Sequence, residues 1–338
     1  GGLTATGTDG RRLFYTPQTF NPACWAGSDF SSTAAAACAG SRTRALSNPL
    51  FNNALLAAKT SQGYSDAITL SISKPSQAGL GWSVAYTKTA AKEVSPLTSS
   101  TSESNWNGRG VFDPNEETLQ NSNYLIKDRF NASLTWSKAF MGNYRTSVGV
   151  FYEGRRGKPY NWTYLNDLNG DGVYSNDLMY IPSAQGSGEV VFRGGSAEEQ
   201  RFWDIVNANP ALAGAKGGVV SRNGSFAPWV NSVDMRLSQE LPGFTKSHKA
   251  SFTLDLLNFG NLLNKRWGRI DEIGFNGGNG ANGGLIRGGT ARSFVNFNGL
   301  EPGTGKYVYS LGSLEDFTTR QASGESQWAI QATLRYEF

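Results

Sequence analysis

Residues 167–178 carry Asp167-x-Asn169-x-Asp171-Gly172, the first half of a calcium loop of the EF-hand type. In such a loop, oxygen ligands at positions 1, 3 and 5 converge on the cation because the glycine at position 6 permits a sharp turn. The second half departs from the pattern. Position 12 is Leu178 where a bidentate Glu belongs, and Asp177 stands one place earlier. Two readings stay open: a structural calcium site built from Asp167, Asn169, Asp171 and Asp177, or an Asx-rich turn that caps the strand ending near Tyr164.

Other residues with chemical potential are sparse. Cys24 and Cys38 lie in one Ser/Ala-rich stretch, and in an oxidising compartment they are expected to pair and close a short loop. Gly278-x-Gly280-x-x-Gly283 has the spacing of a dinucleotide fingerprint. It sits in a stretch, 274–289, so rich in glycine that the match arises by chance, and a loop is expected there. The single histidine, His248, lies beside a short turn between Ser247 and Lys249, and the carboxylates Asp204, Asp255, Asp271 and Glu272 are scattered. No pattern pairs a nucleophile with a base, so the chain is not expected to be an enzyme. Trp25, Trp106 and Trp203 fall deep in long connections and are candidate ligand contacts, with packing between loops as the alternative reading.

The elements that would position these residues are strands. From Gln327 to Phe338 every even position (Trp328, Ile330, Ala332, Leu334, Tyr336, Phe338) is apolar, whereas Gln327, Gln331, Thr333, Arg335 and Glu337 are polar. Period-2 alternation of that length suits a tilted strand that crosses a bilayer with one face to lipid and one to water. The same alternation recurs at 250–256, 233–241, 144–152, 130–140, 80–86 and 68–72, with a weaker strand through Leu13 and Tyr15, about eight in all. Short turns at 74–78, 141–143 and 242–246 alternate with long connections at 17–62, 93–121, 165–225 and 270–325. An outer-membrane barrel, with tight periplasmic turns and extended external loops, has this asymmetry. A soluble β-sandwich is the competing architecture, but it gives no account of long loops confined to one end. Aromatic residues near the two proposed strand ends, Tyr160, Trp162, Trp229, Trp267 and Trp328 at one and Phe140, Phe244, Tyr336 and Phe338 at the other, are expected to form two interfacial girdles.

Composition agrees. The 338 residues include 41 glycines, 38% hydrophobic and only 17% charged residues, which suits a barrel with a polar lumen better than a conventional globular core or a disordered chain. No apolar run approaches the roughly 20 residues of a membrane-spanning helix, so any crossing must use strands. The net charge of +4 is spread along the chain, which gives no support to a nucleic-acid partner. The chain opens on Gly-Gly-Leu-Thr without initiator Met or signal segment, and reads as a piece of something longer.

The C-terminal Leu334-Arg335-Tyr336-Glu337-Phe338 resembles the aromatic-terminated signature of outer-membrane proteins read by the barrel-assembly machinery. More specific is a succession of motifs: Tyr152-Glu153-Gly154-Arg155-Arg156-Gly157-Lys158-Pro159-Tyr160, Asp167-Leu168-Asn169-Gly170-Asp171-Gly172, Asn176-Asp177-Leu178-Met179-Tyr180-Ile181-Pro182, Ala227-Pro228-Trp229 and Leu256-Leu257-Asn258-Phe259. Together they resemble the distal barrel of Oar-like TonB-dependent receptors over about residues 120–338. The resemblance implies an antiparallel transmembrane β-barrel of 22 strands, a size at which the lumen is plugged. This chain would hold the last eight or so, in the outer membrane of a Gram-negative bacterium. It further implies import of a bulky, unidentified ligand, driven by TonB, ExbB and ExbD through a plug outside this sequence. The alternative is a non-transporting surface barrel that binds a partner through its long loops. As one part of a larger barrel, the strands are expected not to close on themselves, and Leu13 to Tyr15 not to pair with the C-terminal strand.

Overall fold

A computed structural model describes residues 5–14 and 54–338, apart from 98, 172, 174, 246, 274–290 and 315. It is mostly antiparallel β, 48% strand and 11% helix, and no described helix is long and apolar enough to cross a membrane.

Seven long strands form one continuous sheet: β1 (Tyr64–Gln77), β2 (Leu80–Glu93), β3 (Asp128–Met141), β4 (Tyr144–Arg155), β5 (Val230–Pro242), β6 (Lys249–Leu257) and β7 (Ala329–Glu337). Each pairs antiparallel with its sequence neighbour, and a two-residue strand, Gln120–Asn121, adds to β2. The register brings like side chains into rows. Trp82, Leu134, Val150, Met235, Leu256 and Ile330 lie side by side across six strands on one face. On the other face the row Ser137, Ser147, Ser238, Thr253 and Thr333 runs across five. A one-residue slip in any strand would mix these faces, so the alternation fixes the register. Large apolar side chains of the first face, among them Leu70 at 72% and Leu334 at 74%, are solvent-exposed.

The three hairpin turns share one end of the sheet. Ala78 and Gly79 both have positive φ (50° and 85°), which fits the right-handed twist of the flanking strands. A Cβ on Gly79 would lie 2.1 Å from the Ser137 carbonyl oxygen, so only glycine fits. The shift of register between Lys74 and Gln77 accommodates Pro75, which cannot donate to a ladder and is tolerated because β1 is an edge. In the turn from β5 to β6 the Tyr336 hydroxyl accepts from the Phe244 amide (3.1 Å) and lies 2.7 Å from His248 Nδ1. The lone histidine therefore has a partner that its sequence context did not reveal. Tyr336→Phe is expected to lower stability by about 0.5–1.5 kcal/mol, measured as a fall in melting temperature, because the ring stays and only these bonds go.

The other end carries the long connections, and here two expectations are corrected. The weak strand through Leu13 is not part of the sheet: Arg12–Leu13 pairs with Ala5–Thr6 in a separate hairpin, and Leu13 is fully buried, while Tyr15 is outside the described residues. Nor are the described parts of the connections at 165–225 and 270–325 extended loops. They fold into a compact module around a five-stranded sheet, in the order Val190–Phe192, Tyr307–Leu311, Ala291–Leu300, Pro159–Tyr164, Ser225–Phe226. Two of its pairings are parallel, so antiparallel order does not extend to the module. The helix Gly195–Ala208 lays Phe202, Trp203 and Val206 on that sheet, an i, i+1, i+4 face of which Phe202 packs against Phe192, Phe294 and Tyr309. Among the described residues β1 and β7 are the two ends of the long sheet and do not pair with each other, and Arg12–Leu13 makes no pairing with β7.

Candidate functional site

The residues with chemical potential gather in the module, where the terminal hairpin meets the Asp/Asn loop. Arg11 is fully buried. Its Nε donates to Asp9 (2.8 Å), its Nη1 to Asp177 Oδ1 (3.1 Å) and its Nη2 to the Leu178 carbonyl. The guanidinium also lies over the rings of Phe112 and Tyr164, 5.2 and 5.7 Å from their centres. Burial opposes the Arg11 charge, but Asp9 and Asp177 outweigh it and hold the group firmly ionised. For Asp177, burial pushes the carboxyl upward while Arg11 pulls it back. Next to this pair runs a chain of phenols: Tyr164 and Tyr309 hydroxyls are 2.6 Å apart, Tyr309 donates to the Tyr180 carbonyl (3.2 Å), and Tyr307 donates to Asp9 (2.7 Å). Tyr164 must then donate to Tyr309, since each hydroxyl has one proton. Burial raises the pKa of all three phenols of this network, Tyr164, Tyr307 and Tyr309, so they remain protonated donors.

The loop itself is buried and tightly turned. Asp167 Oδ1 accepts from the Gly170 amide (2.6 Å), Asn169 Oδ1 from the Asp171 amide (2.8 Å), and Asp171 Oδ1 from the Val173 amide (2.8 Å). These Asx bonds are those of the turn reading, and they place the oxygens of positions 1, 3 and 5 within one loop. Asp177 does not complete the set. Its Oδ1 accepts from Arg11 and its Oδ2 from the amides of Leu168 and Asn169 (2.8 and 3.3 Å), so both oxygens are engaged elsewhere. Among the described residues no three His, Cys, Asp or Glu side chains are gathered closely enough to hold a metal ion. Asn176, which sequence reasoning passed over, packs here with its Nδ2 3.5 Å from Asp171 Oδ2. Its position ten in the loop, two before the Glu of an EF-hand, was the available signal.

The other sequence candidates scatter. Trp203 is 2% exposed, within the module's core, with Lys216 Nζ 5.3 Å from its ring. Trp106 is half-buried on the short helix Ser102–Asn107. Trp25, Cys24 and Cys38 are outside the described residues, as is the glycine-rich match at 278–283. Of the proposed outer girdle, Trp229, Trp267 and Trp328 are exposed near the module end, but Tyr160 and Trp162 are buried in the module, where Trp162 Nε1 donates to Ser225 (2.9 Å). Phe140, Phe244, Tyr336 and Phe338 are all exposed at the turn end. In the Leu256 to Phe259 motif, Asn258 takes left-handed φ and ψ of 50° and donates from Nδ2 to the carbonyls of Gly268 and Glu325, both at 2.8 Å. It ties together the two ends of the last long connection. Asp204, Asp255, Asp271 and Glu272 do not meet: Asp255 pairs with Arg236 on the long sheet, and Glu272 with Arg320 and Lys158. No protein-family model matches the chain, and no curated protein or solved structure is significantly similar to it.

Proposed function

We propose that the chain forms part of the wall and outer surface of an outer-membrane β-barrel receptor of the TonB-dependent type, which imports a bulky ligand. The observation that carries the membrane part is the apolar face of the long sheet: it is exposed and in register across the strands, while the opposite face is hydroxylated and charged. An apolar face of that extent belongs against lipid, and backbone groups at that depth must be paired in a closed sheet. Three tight turns at one end and folded long connections at the other fit a periplasmic and an external side. The receptor part rests on the Oar-like resemblance of the motifs. Its partners would be outer-membrane lipid, the barrel-assembly machinery through Tyr336 and Phe338, and TonB, ExbB and ExbD through a plug outside this chain.

The membrane part is tested by a matched pair of charged substitutions. Leu134→Arg faces lipid and is expected to destabilise the assembled barrel by about 2–4 kcal/mol. Thr135→Arg, one residue on, faces the lumen and is expected to be nearly neutral. Urea unfolding in outer-membrane lipid vesicles reads both, and equal effects would sink the assignment of faces. For the receptor part, outer-membrane extracts are probed for a polypeptide much larger than this chain that cross-links to TonB. A second reading, a surface barrel that binds a partner without transport, is favoured by the module's own aromatic core, which gives the long connections a packed body. Outer-membrane localisation without a TonB cross-link would select it.

A further inference from the structure

Within the module, one buried polar atom points beyond the Asx-turn reading. Asn176 is only 5% exposed, and its Oδ1 has no hydrogen-bond partner. A buried amide oxygen left in that state is costly. Its Nδ2 lies 3.5 Å from Asp171 Oδ2, and the Asn169 Nδ2 lies 3.2 Å from the same oxygen. Two side-chain amides thus converge on one buried carboxylate with their nitrogens inward. An amide presents either its nitrogen or its oxygen to the same neighbour by a half-turn of its last bond. Toward a carboxylate the nitrogen is the better face. Toward a cation held by that carboxylate, the oxygen is.

We propose that the loop binds calcium through Asp167, Asn169, Asp171 and Asn176, with the amide of Asn176 turned to offer oxygen. The donors are carboxylate and amide oxygens, a hard set that suits neither zinc nor copper. Calcium suits it better than magnesium, because calcium accepts many protein oxygens in flexible geometry whereas magnesium retains several waters, and this loop is buried. Asp177 stays outside the set and anchors the loop to Arg11. The site differs from an EF-hand in replacing the distal bidentate Glu with a neutral amide. Its affinity should therefore fall in the weak range of extracellular modules, on the order of 0.1–1 mM.

The test uses the purified full-length protein in detergent, stripped with EDTA and titrated with calcium chloride by calorimetry and by thermal unfolding. One saturable equivalent in the stated range, with a rise in melting temperature, is the expected result. Asp171→Asn should weaken binding by about tenfold or more, and Asn176→Asp should tighten it several-fold, because ligand charge sets affinity in such loops. The second variant keeps the test decisive if the first fails to fold. Absence of saturable calcium binding, binding unchanged in Asn176→Asp, or magnesium bound as tightly as calcium would each overturn the proposal. The outcome is independent of transport, since none of these readouts involves uptake.

Discussion

Replacing Arg11 by methionine is expected to destabilise the module by about 3–5 kcal/mol, the range seen when one partner of a buried ion pair is removed. Arg11 is enclosed by Asp9, Asp177 and the Leu178 carbonyl, and no part of it reaches solvent. Methionine fills much of the volume but leaves two carboxylates in a site that burial makes hostile to charge. The effect should appear as early unfolding and protease sensitivity of the module, while the long sheet keeps its transition. Charge, not shape, is the cause, so Arg11→Met with Asp177→Asn should lose less than Arg11→Met alone. A double variant as unstable as the single one would contradict this account.

The second large effect is expected at Phe202. Its ring is fully buried and lies 5.2 Å from Phe192, 5.6 Å from Trp203, 5.8 Å from Phe294 and 6.1 Å from Tyr309, centre to centre. These partners come from the helix and three different strands of the module sheet, so a cavity there cannot collapse without moving several elements. Phe202→Ala should cost about 3–5 kcal/mol, and Phe202→Leu distinctly less. Trp106→Ala, at a half-buried position on a short helix, serves as the control and should change the melting temperature little. Hydrogen exchange resolved by segment would locate the loss in residues 159–226 and 291–311. A loss spread evenly over β1 to β7 would show that the module has no core of its own.

The long sheet was legible because its two environments alternate with the pleat, and period 2 survives in the side chains themselves: Ile68, Leu70 and Ile72 against Thr69, Ser71 and Ser73. The turns were legible for the same reason, since each interrupts the alternation with Gly, Pro or Asn. The module was not. Its strand Pro159–Tyr164 is buried on both faces, so the apolar even positions Tyr160, Trp162 and Tyr164 continue the parity of β4 without sharing its environment. That continuation made Tyr160 and Trp162 resemble girdle residues. The core they join is assembled from segments near Leu13, Phe202, Phe294 and Tyr309, far apart in sequence, and no local pattern announces such contacts. The helix was the exception. Phe202, Trp203, Ile205 and Val206 have helical spacing that was open to reading, but the segment was placed within the long connection 165–225. In the acidic loop, the ligand-type spacing was visible, whereas the diversion of Asp177 depended on Arg11, 166 positions away.

The alternation of tight and long connections also sets an order of assembly. The pairs β1–β2, β3–β4 and β5–β6 close over a few residues and gain their ladders at small entropic cost, so each can form early as a unit. Joining these units requires contacts of high sequence separation, which slow folding. The widest gap lies between Arg155 and Val230, neighbours in the ladder from β4 to β5. When the module condenses, it draws the strand Pro159–Tyr164 against Ser225–Phe226, a few residues from each of those ends. It thereby turns a long search into a short one, and the module serves as the clamp that delivers the third hairpin to the second.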